Sequence, residues 1–148
     1  MFRICGEINN FYVYAFYHYP GHDGSLYDSV LDSMVWAQSV NDKADFVFVG
    51  DANAYHSEWL ESVSPTDQYG RDTLDFCNLS GCEQLVLCPT HIAGDRLNLV
   101  IMDAPDIVDV LFIGTPLGTS NHCFVSFVLQ VEQSGPENNI RSTVLLLH

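Results

Sequence analysis

Two polar side chains follow directly after the most apolar short run of the sequence. Asp51 follows the run 46–49 after Gly50, and Asn53 comes two residues later. In α/β sheets, ligands bind beyond the carboxyl ends of the strands, which is where this pair falls. A carboxylate can hold a hard metal or orient a water molecule, and an amide two residues later can donate to a phosphate oxygen. The alternative interpretation is an ordinary polar turn, in which Asp and Asn are common.

A second group with chemical potential precedes the last apolar run of the core sequence. Ser120, Asn121 and His122 stand immediately before the run 123–129. A histidine there can act as a general acid or base, or donate to a phosphate; the alternative is a structural or exposed histidine. The other candidates lie in polar segments without zinc-site spacing, and we expect them on the surface. They are His18, His22, His56 and His91.

The elements that would position these groups alternate between strand and helix. Residues 10–17 are rich in aromatic and β-branched side chains and predict a strand, 26–40 have helical spacing, and 45–50 predict a buried strand. This succession predicts a layered α/β fold. We further expect a helix over 71–80 that ends at Gly81, and strands over 83–87, 97–102, 107–113 and 123–129. The aromatic cluster most simply packs a core, and its members are Tyr12, Tyr14, Phe16, Tyr17 and Tyr19.

Composition limits the possible partners. The chain has 148 residues, 47% of them hydrophobic, and a net charge of −14, which suits one folded domain and disfavours binding to nucleic acid through basic side chains. A divalent metal can supply the missing positive charge. No apolar run is long enough to span a membrane, and no secretory signal is recognisable. Five cysteines without paired spacing predict reduced thiols and an intracellular protein.

Several segments, taken in order, resemble one family. They are 48–60 (FVGDANAYHSEWL), 75–82 (DFCNLSGC), 89–91 (PTH), 94–100 (GDRLNLV) and 116–122 (PLGTSNH). Together they resemble the endonuclease/exonuclease/phosphatase family, and most of all the AP-endonuclease-like domain of non-LTR (LINE-type) retrotransposons. The resemblance covers about residues 5–131 and rests on the ordered set of motifs.

The resemblance implies a four-layer α/β sandwich of the DNase I-like type, with two packed β-sheets flanked by helices. It implies cleavage of phosphodiester bonds with Mg²⁺ or Mn²⁺, and nicking of DNA in the retrotransposon members. The roles carried over by position assign Asp51 to the attacking water and the metal, Asn53 and Tyr17 to the scissile phosphate, and His122 to the pentacovalent phosphorus. Less specific positions on the substrate side are Thr90, Ser120 and His56.

Three departures from the family pattern lead us to expect impaired activity. Asn98 and Asn121 stand where the family has aspartates, and an amide cannot neutralise an imidazolium as a carboxylate can. The family also has an N-terminal segment that carries a metal-binding glutamate, which this chain does not match, so we expect a fold that is incomplete at its N-terminus and weak metal binding. Uncovered sheet edges would favour aggregation.

The remaining expectations concern organisation and alternatives. We expect the domain to span 1–131 and a linker or tail to span 132–148, leading toward a reverse transcriptase as in family members, with DNA as partner, no membrane, and a nuclear location. The alternative function is a catalytically inactive retroelement remnant or a binding module. A phosphoinositide or sphingolipid head group is a third possible substrate, which the segments 58–60 and 116–120 disfavour.

Overall fold

The computed structural model describes residues 2–5, 10–19, 26–57, 65–131 and 141–147. In chain order, the elements are β1 (Phe2–Cys5), β2 (Asn10–Tyr17), α1 (Leu26–Val40), β3 (Ala44–Asp51), α2 (Gln68–Ser80), β4 (Glu83–Gln84), β5 (Asn98–Met102), a 3-10 turn (Pro105–Ile107), β6 (Val108–Pro116), β7 (Cys123–Val131) and β8 (Arg141–Leu147). Neither helix in these ranges has the length and apolar character needed to cross a membrane.

The strands form two sheets. The first has five strands in the order β1-β2-β3-β5-β4, and the second has three in the order β6-β7-β8. Strands β2 and β3 are parallel and joined through α1, as the predicted strand–helix–strand succession requires. The other described pairings are antiparallel.

Strand β3 is covered on both faces because its side chains alternate between two cores. Phe46 and Phe48 face the helices, where they pack with Phe76 of α2, while Val47 and Val49 face the second sheet. The predicted α/β architecture of two packed sheets with helices is therefore confirmed. In the described ranges both helices lie on the first sheet, which accounts for three of the four expected layers.

Helix α2 begins three residues before the predicted start because Asp67 caps it. The Asp67 carboxylate accepts the backbone N–H of Gly70 at 2.6 Å, a contact of the kind that stabilises a helix by about 1 kcal/mol. The helix ends as predicted at Gly81, whose φ of 69° lies in the left-handed region.

Two predicted boundaries are wrong at the secondary-structure level. The strand expected over 83–87 stops at Gln84, since the Gln84 side chain bonds both backbone groups of Val86 and so replaces the sheet ladder there. The segment 132–148, expected to be a linker or tail, contains strand β8, which pairs with β7 from Arg141 to Leu147. Residues 132–140 lie outside the described ranges, and the domain boundary at 131 stays a prediction.

The aromatic cluster divides between core and surface. Tyr12 and Tyr14 are buried as predicted and stack near Phe46 and Phe48. The expectation was wrong for Tyr17 and Tyr19, which are 66% and 67% exposed at the end of strand β2 and just beyond it. The four cysteines in the described ranges with side chains are free thiols, in agreement with the prediction.

Candidate active site

Three adjacent strands place Tyr17, Asp51 and Asn98 in one row. Tyr17 pairs with Asp51 across the parallel β2–β3 ladder, and Asp51 pairs with Asn98 across the antiparallel β3–β5 ladder. The close approach of β2 and β3 needs a glycine at position 50, since a Cβ there would lie 1.9 Å from the Phe16 carbonyl oxygen. The sheet itself therefore sets the spacing of these groups.

His122, just before β7, completes the row from the second sheet. Its Nδ1 lies 3.2 Å from Asn98 Oδ1, and its Nε2 lies 3.9 Å from Asp51 Oδ2. Asn98 Nδ2 donates to the Cys123 carbonyl at 3.1 Å, which directs the amide oxygen toward the histidine. Nδ1 of His122 must then carry the hydrogen, so in the neutral ring Nε2 is the free acceptor facing Asp51.

Thr90 fixes the position of Asn98. Its hydroxyl oxygen accepts the backbone N–H groups of Leu97 and Asn98, both at 2.9 Å, and its carbonyl accepts the Cys123 N–H at 2.7 Å. The Thr90 side chain is 0% exposed, so it has no surface with which to contact a substrate, contrary to its expected place on the substrate side. Thr90 is a positioning residue that joins β5 to β7.

Asp51 is half-buried and held by the turn that follows it. Its Oδ1 accepts the Asn53 N–H at 3.2 Å, and Asn53 adopts a left-handed φ of 43°, a conformation that Asn tolerates better than most residues. The Asn53 amide donates to the His18 carbonyl at 3.0 Å. Burial raises the pKa of Asp51, whereas the positive charge of a protonated His122 and the bonds from Asn53 lower it.

The other predicted site residues differ in their distance from this centre. Ser120 accepts the His122 N–H at 3.0 Å through its hydroxyl oxygen, and so supports the histidine from behind. Asn121 is exposed, and its carbonyl accepts the Ile92 N–H. His56 is buried against α2, where a Cβ on Gly70 would lie 3.0 Å from the His56 Cβ.

Two further histidines, His91 and His18, were expected on the surface, but each packs against another ring. The His91 ring meets the His122 ring edge to face with centroids 5.0 Å apart, because residues 91 and 122 form a backbone bridge. His18 is only 9% exposed, since it follows the buried strand β2 and packs on Tyr69. In the sequence, the indication that His91 lies near the site was its position next to Thr90. His22 lies outside the described ranges.

The described side chains at this centre do not by themselves form a metal site. In the described ranges no group of three His, Cys, Asp or Glu side chains is arranged to hold one, and Asp51 is the single carboxylate among the side chains that meet here. Mg²⁺ binds through carboxylate oxygens together with substrate phosphates and water. What the centre offers without a metal is a carboxylate that can accept a proton from water and an oriented imidazole that can donate one.

Comparison with known proteins bears on the fold that carries this centre. The chain is similar to a solved structure, the endonuclease domain of TRAS1, a telomere-specific non-LTR retrotransposon, with a TM-score of 0.64 and 21% sequence identity. The chain has the fold of that endonuclease domain. The match covers 84% of this chain and 58% of the solved domain, so the chain spans little more than half the length of the structure it matches. No family model and no curated protein matches the sequence.

Proposed function

We propose that the chain is a phosphodiester-cleaving domain of the retrotransposon endonuclease type, with DNA as its substrate and weak activity. The observation that carries the proposal is the convergence of Asp51 and His122 from two sheets, with Asn98 orienting the imidazole. A hydrolase of phosphate esters needs a group that activates water and donors that meet the charge growing on phosphate oxygens. Asp51 and His122 supply one of each.

In this proposal the two groups act on different atoms of the reaction, the attacking water and a phosphate oxygen. Asp51 orients the attacking water and takes its proton, a role favoured by the raised pKa of its carboxyl. His122 in its protonated form donates from Nε2 to a phosphate oxygen, while Nδ1 remains bonded to Asn98. Tyr17, which is exposed and pairs with Asp51 on the neighbouring strand, contributes its hydroxyl to binding of the same phosphate.

Weak activity follows from the side chain behind His122. Asn98 holds the ring but cannot offset the imidazolium charge. In the serine protease triad, Asp→Asn behind the histidine lowers kcat by about 10⁴ through the wrong tautomer; here Asn98 Oδ1 keeps the tautomer, and the loss is that of the negative charge. Among the described residues, Asp51 gives Mg²⁺ or Mn²⁺ a single carboxylate ligand, so we expect weak metal binding. A nuclear location and a reverse transcriptase partner are further parts of the proposal, and they rest on the family resemblance.

Nicking of supercoiled plasmid in the presence of Mg²⁺ or Mn²⁺ tests the proposal. Asp51→Ala is expected to reduce the nicking rate by about 100-fold, the scale of a positioned general base. Asp109→Ala removes the same charge from an exposed position on β6 and serves as the matched control, with no change expected. Equal rates for the wild type and the Asp51 variant would refute the proposal.

A non-catalytic domain with this fold is the second candidate, favoured by the presence of one carboxylate among the described side chains of the centre. The two candidates differ in how metal affects stability, because a ligand that binds only the folded state raises Tm. Titration with Mg²⁺ up to about 100 times a millimolar dissociation constant would give a rise of about 2.7 kcal/mol in the free energy of unfolding for a competent site. Absence of any rise, together with absence of nicking, would favour the non-catalytic candidate.

A further inference from the structure

A cavity separate from the strand-end centre lies between the two helices. Its volume is about 290 Å³, and it opens on the helical side of the five-stranded sheet. Its aromatic wall consists of Tyr27, Tyr69 and Phe76, and Ala52 forms part of its inner end. This size accepts a side chain or a small organic molecule.

His18 lines this cavity with its hydrogen-bonding capacity unused. The side chain is 9% exposed, and neither Nδ1 nor Nε2 has a hydrogen-bond partner. Its only close ring neighbour in the described ranges is Tyr69, with centroids 4.0 Å apart. Buried polar groups are nearly always bonded, so an imidazole left unsatisfied inside a cavity marks the place of a polar ligand.

The charge at the mouth of the cavity selects the sign of that ligand. Three carboxylates line it, those of Asp28, Asp72 and Asp75, and none of its described lining residues is Lys or Arg. The whole chain adds to this field with a net charge of −14. An anion is therefore repelled from this cavity, and a cation is attracted.

The side chains that line the cavity indicate which kind of cation it binds. In the described part of the chain no three metal-ligating side chains are grouped closely enough for a metal ion. Aromatic faces attract organic cations, and a cation with N–H groups can donate at the same time to the free acceptor nitrogen of His18 and to a carboxylate. Rings, carboxylates and an unsatisfied imidazole are together suited to an ammonium or guanidinium group.

We propose that the cavity between α1 and α2 is a binding site for an organic cation of the alkylammonium or guanidinium class. The cation enters with its apolar part against Tyr27 and Phe76, and its N–H groups reach His18 and the carboxylates at the mouth. Two hydrogen bonds join the site to the strand-end centre: the His18 N–H donates to the Asp51 carbonyl at 2.9 Å, and the Asn53 amide donates to the His18 carbonyl at 3.0 Å.

Calorimetric titration of the full chain tests the site with three probes of similar shape. Ethylguanidinium and butylammonium are expected to bind, and neutral ethylurea is not. The double variant Asp72→Asn/Asp75→Asn is expected to weaken binding of the two cations by about tenfold. The double variant Asp106→Asn/Asp109→Asn makes the same charge change at exposed positions away from the cavity and is expected to leave affinity within about twofold.

A second variant tests whether a ring nitrogen of His18 bonds the cation. His18→Phe fills the same space without a hydrogen-bonding nitrogen, and is expected to weaken binding of ethylguanidinium while circular dichroism stays unchanged.

Two larger probes distinguish the source of the cation. Spermidine represents a free amine, and an acetylated arginine amide represents a protein side chain; the tighter binder identifies the source. Equal binding of ethylurea, equal loss in both double variants, or no binding of either small cation would overturn the proposal. Asp51→Ala is expected to retain binding, so failure of this site is separable from failure of the nuclease proposal.

Discussion

The strand-end centre and the cavity between the helices are linked through His18 and Asn53. They differ in whether their hydrogen-bonding side chains have partners. At the strand ends, the side chains of Thr90, Asn98 and His122 bond to one another or to neighbouring backbone. In the cavity between the helices, the ring of His18 has no hydrogen-bond partner among the described residues. The first arrangement holds a reactive group in one orientation, whereas the second leaves capacity for a ligand. Substitutions in the two regions measure this difference as a change in the free energy of unfolding.

Thr90→Val is expected to have the largest effect, a loss of about 3 kcal/mol in the free energy of unfolding. The substitution keeps the shape of the side chain but leaves the N–H groups of Leu97 and Asn98 buried without an acceptor, and each such group costs about 1–3 kcal/mol. Urea unfolding measures the loss. Thr119→Val, at an exposed turn, is the control and is expected to change stability by less than about 0.5 kcal/mol.

His18→Phe is expected to act in the opposite direction, with a gain of about 1 kcal/mol. The wild-type ring is buried with two unbonded nitrogens, and an apolar ring of similar shape removes that desolvation cost while it keeps the contact with Tyr69. The same unfolding experiment measures the gain. A loss of more than about 1 kcal/mol would mean that the histidine is satisfied in solution, and the contrast between the two regions would fail.

Asp103 combines a hydrogen bond with unfavourable burial of its charge, and its substitution is expected to give the smallest change in stability. It accepts the Phe46 N–H at 2.7 Å, yet burial and the nearby Asp45 raise its pKa from 3.8 to about 6. Because the folded-state pKa is the higher one, the folded state binds the proton more tightly, and stability falls as the pH rises from about 4 to 6.

Asp103→Asn is therefore expected to flatten that fall and to raise stability at pH 7 by about 0.5–1 kcal/mol, after allowance for partial exposure. The amide oxygen can still accept the Phe46 N–H, so the variant isolates the charge. Thermal unfolding between pH 4 and 8 measures the difference, with the exposed Asp106→Asn as control. An unchanged pH profile would show that Asp103 is not the group responsible.

The sequence predicted the elements whose signals are local. The apolar run that became β3, the helical spacing of α1 and the glycine stop of α2 all follow from side chains within a few residues. Strand β8 was missed because its pairing with β7 depends on contacts across the sheet and not on its own composition. Likewise, the length of β4 is set by one side-chain contact of Gln84 that no periodicity reveals.

The candidate site shows the same division. Asp51 and His122 could be predicted from their place next to apolar runs and from the family resemblance, because position in an α/β sheet determines access to its end. The buried clamp of Thr90 could not, since its two N–H donors come from residues seven and eight positions away. The burial of His18 was missed because a polar neighbourhood in sequence does not report packing by a helix that begins fifty residues later.

The most direct measurement of the central claim is the rate of plasmid nicking by Asn98→Asp. If Asp51 and His122 form a strand-cleaving centre weakened by a neutral partner, a carboxylate at position 98 should stabilise the imidazolium and raise the rate by about 10–100-fold over wild type. Adding Asp51→Ala to that variant should remove the gain. A rate that stays at the wild-type level, or a gain that survives loss of Asp51, would contradict the account.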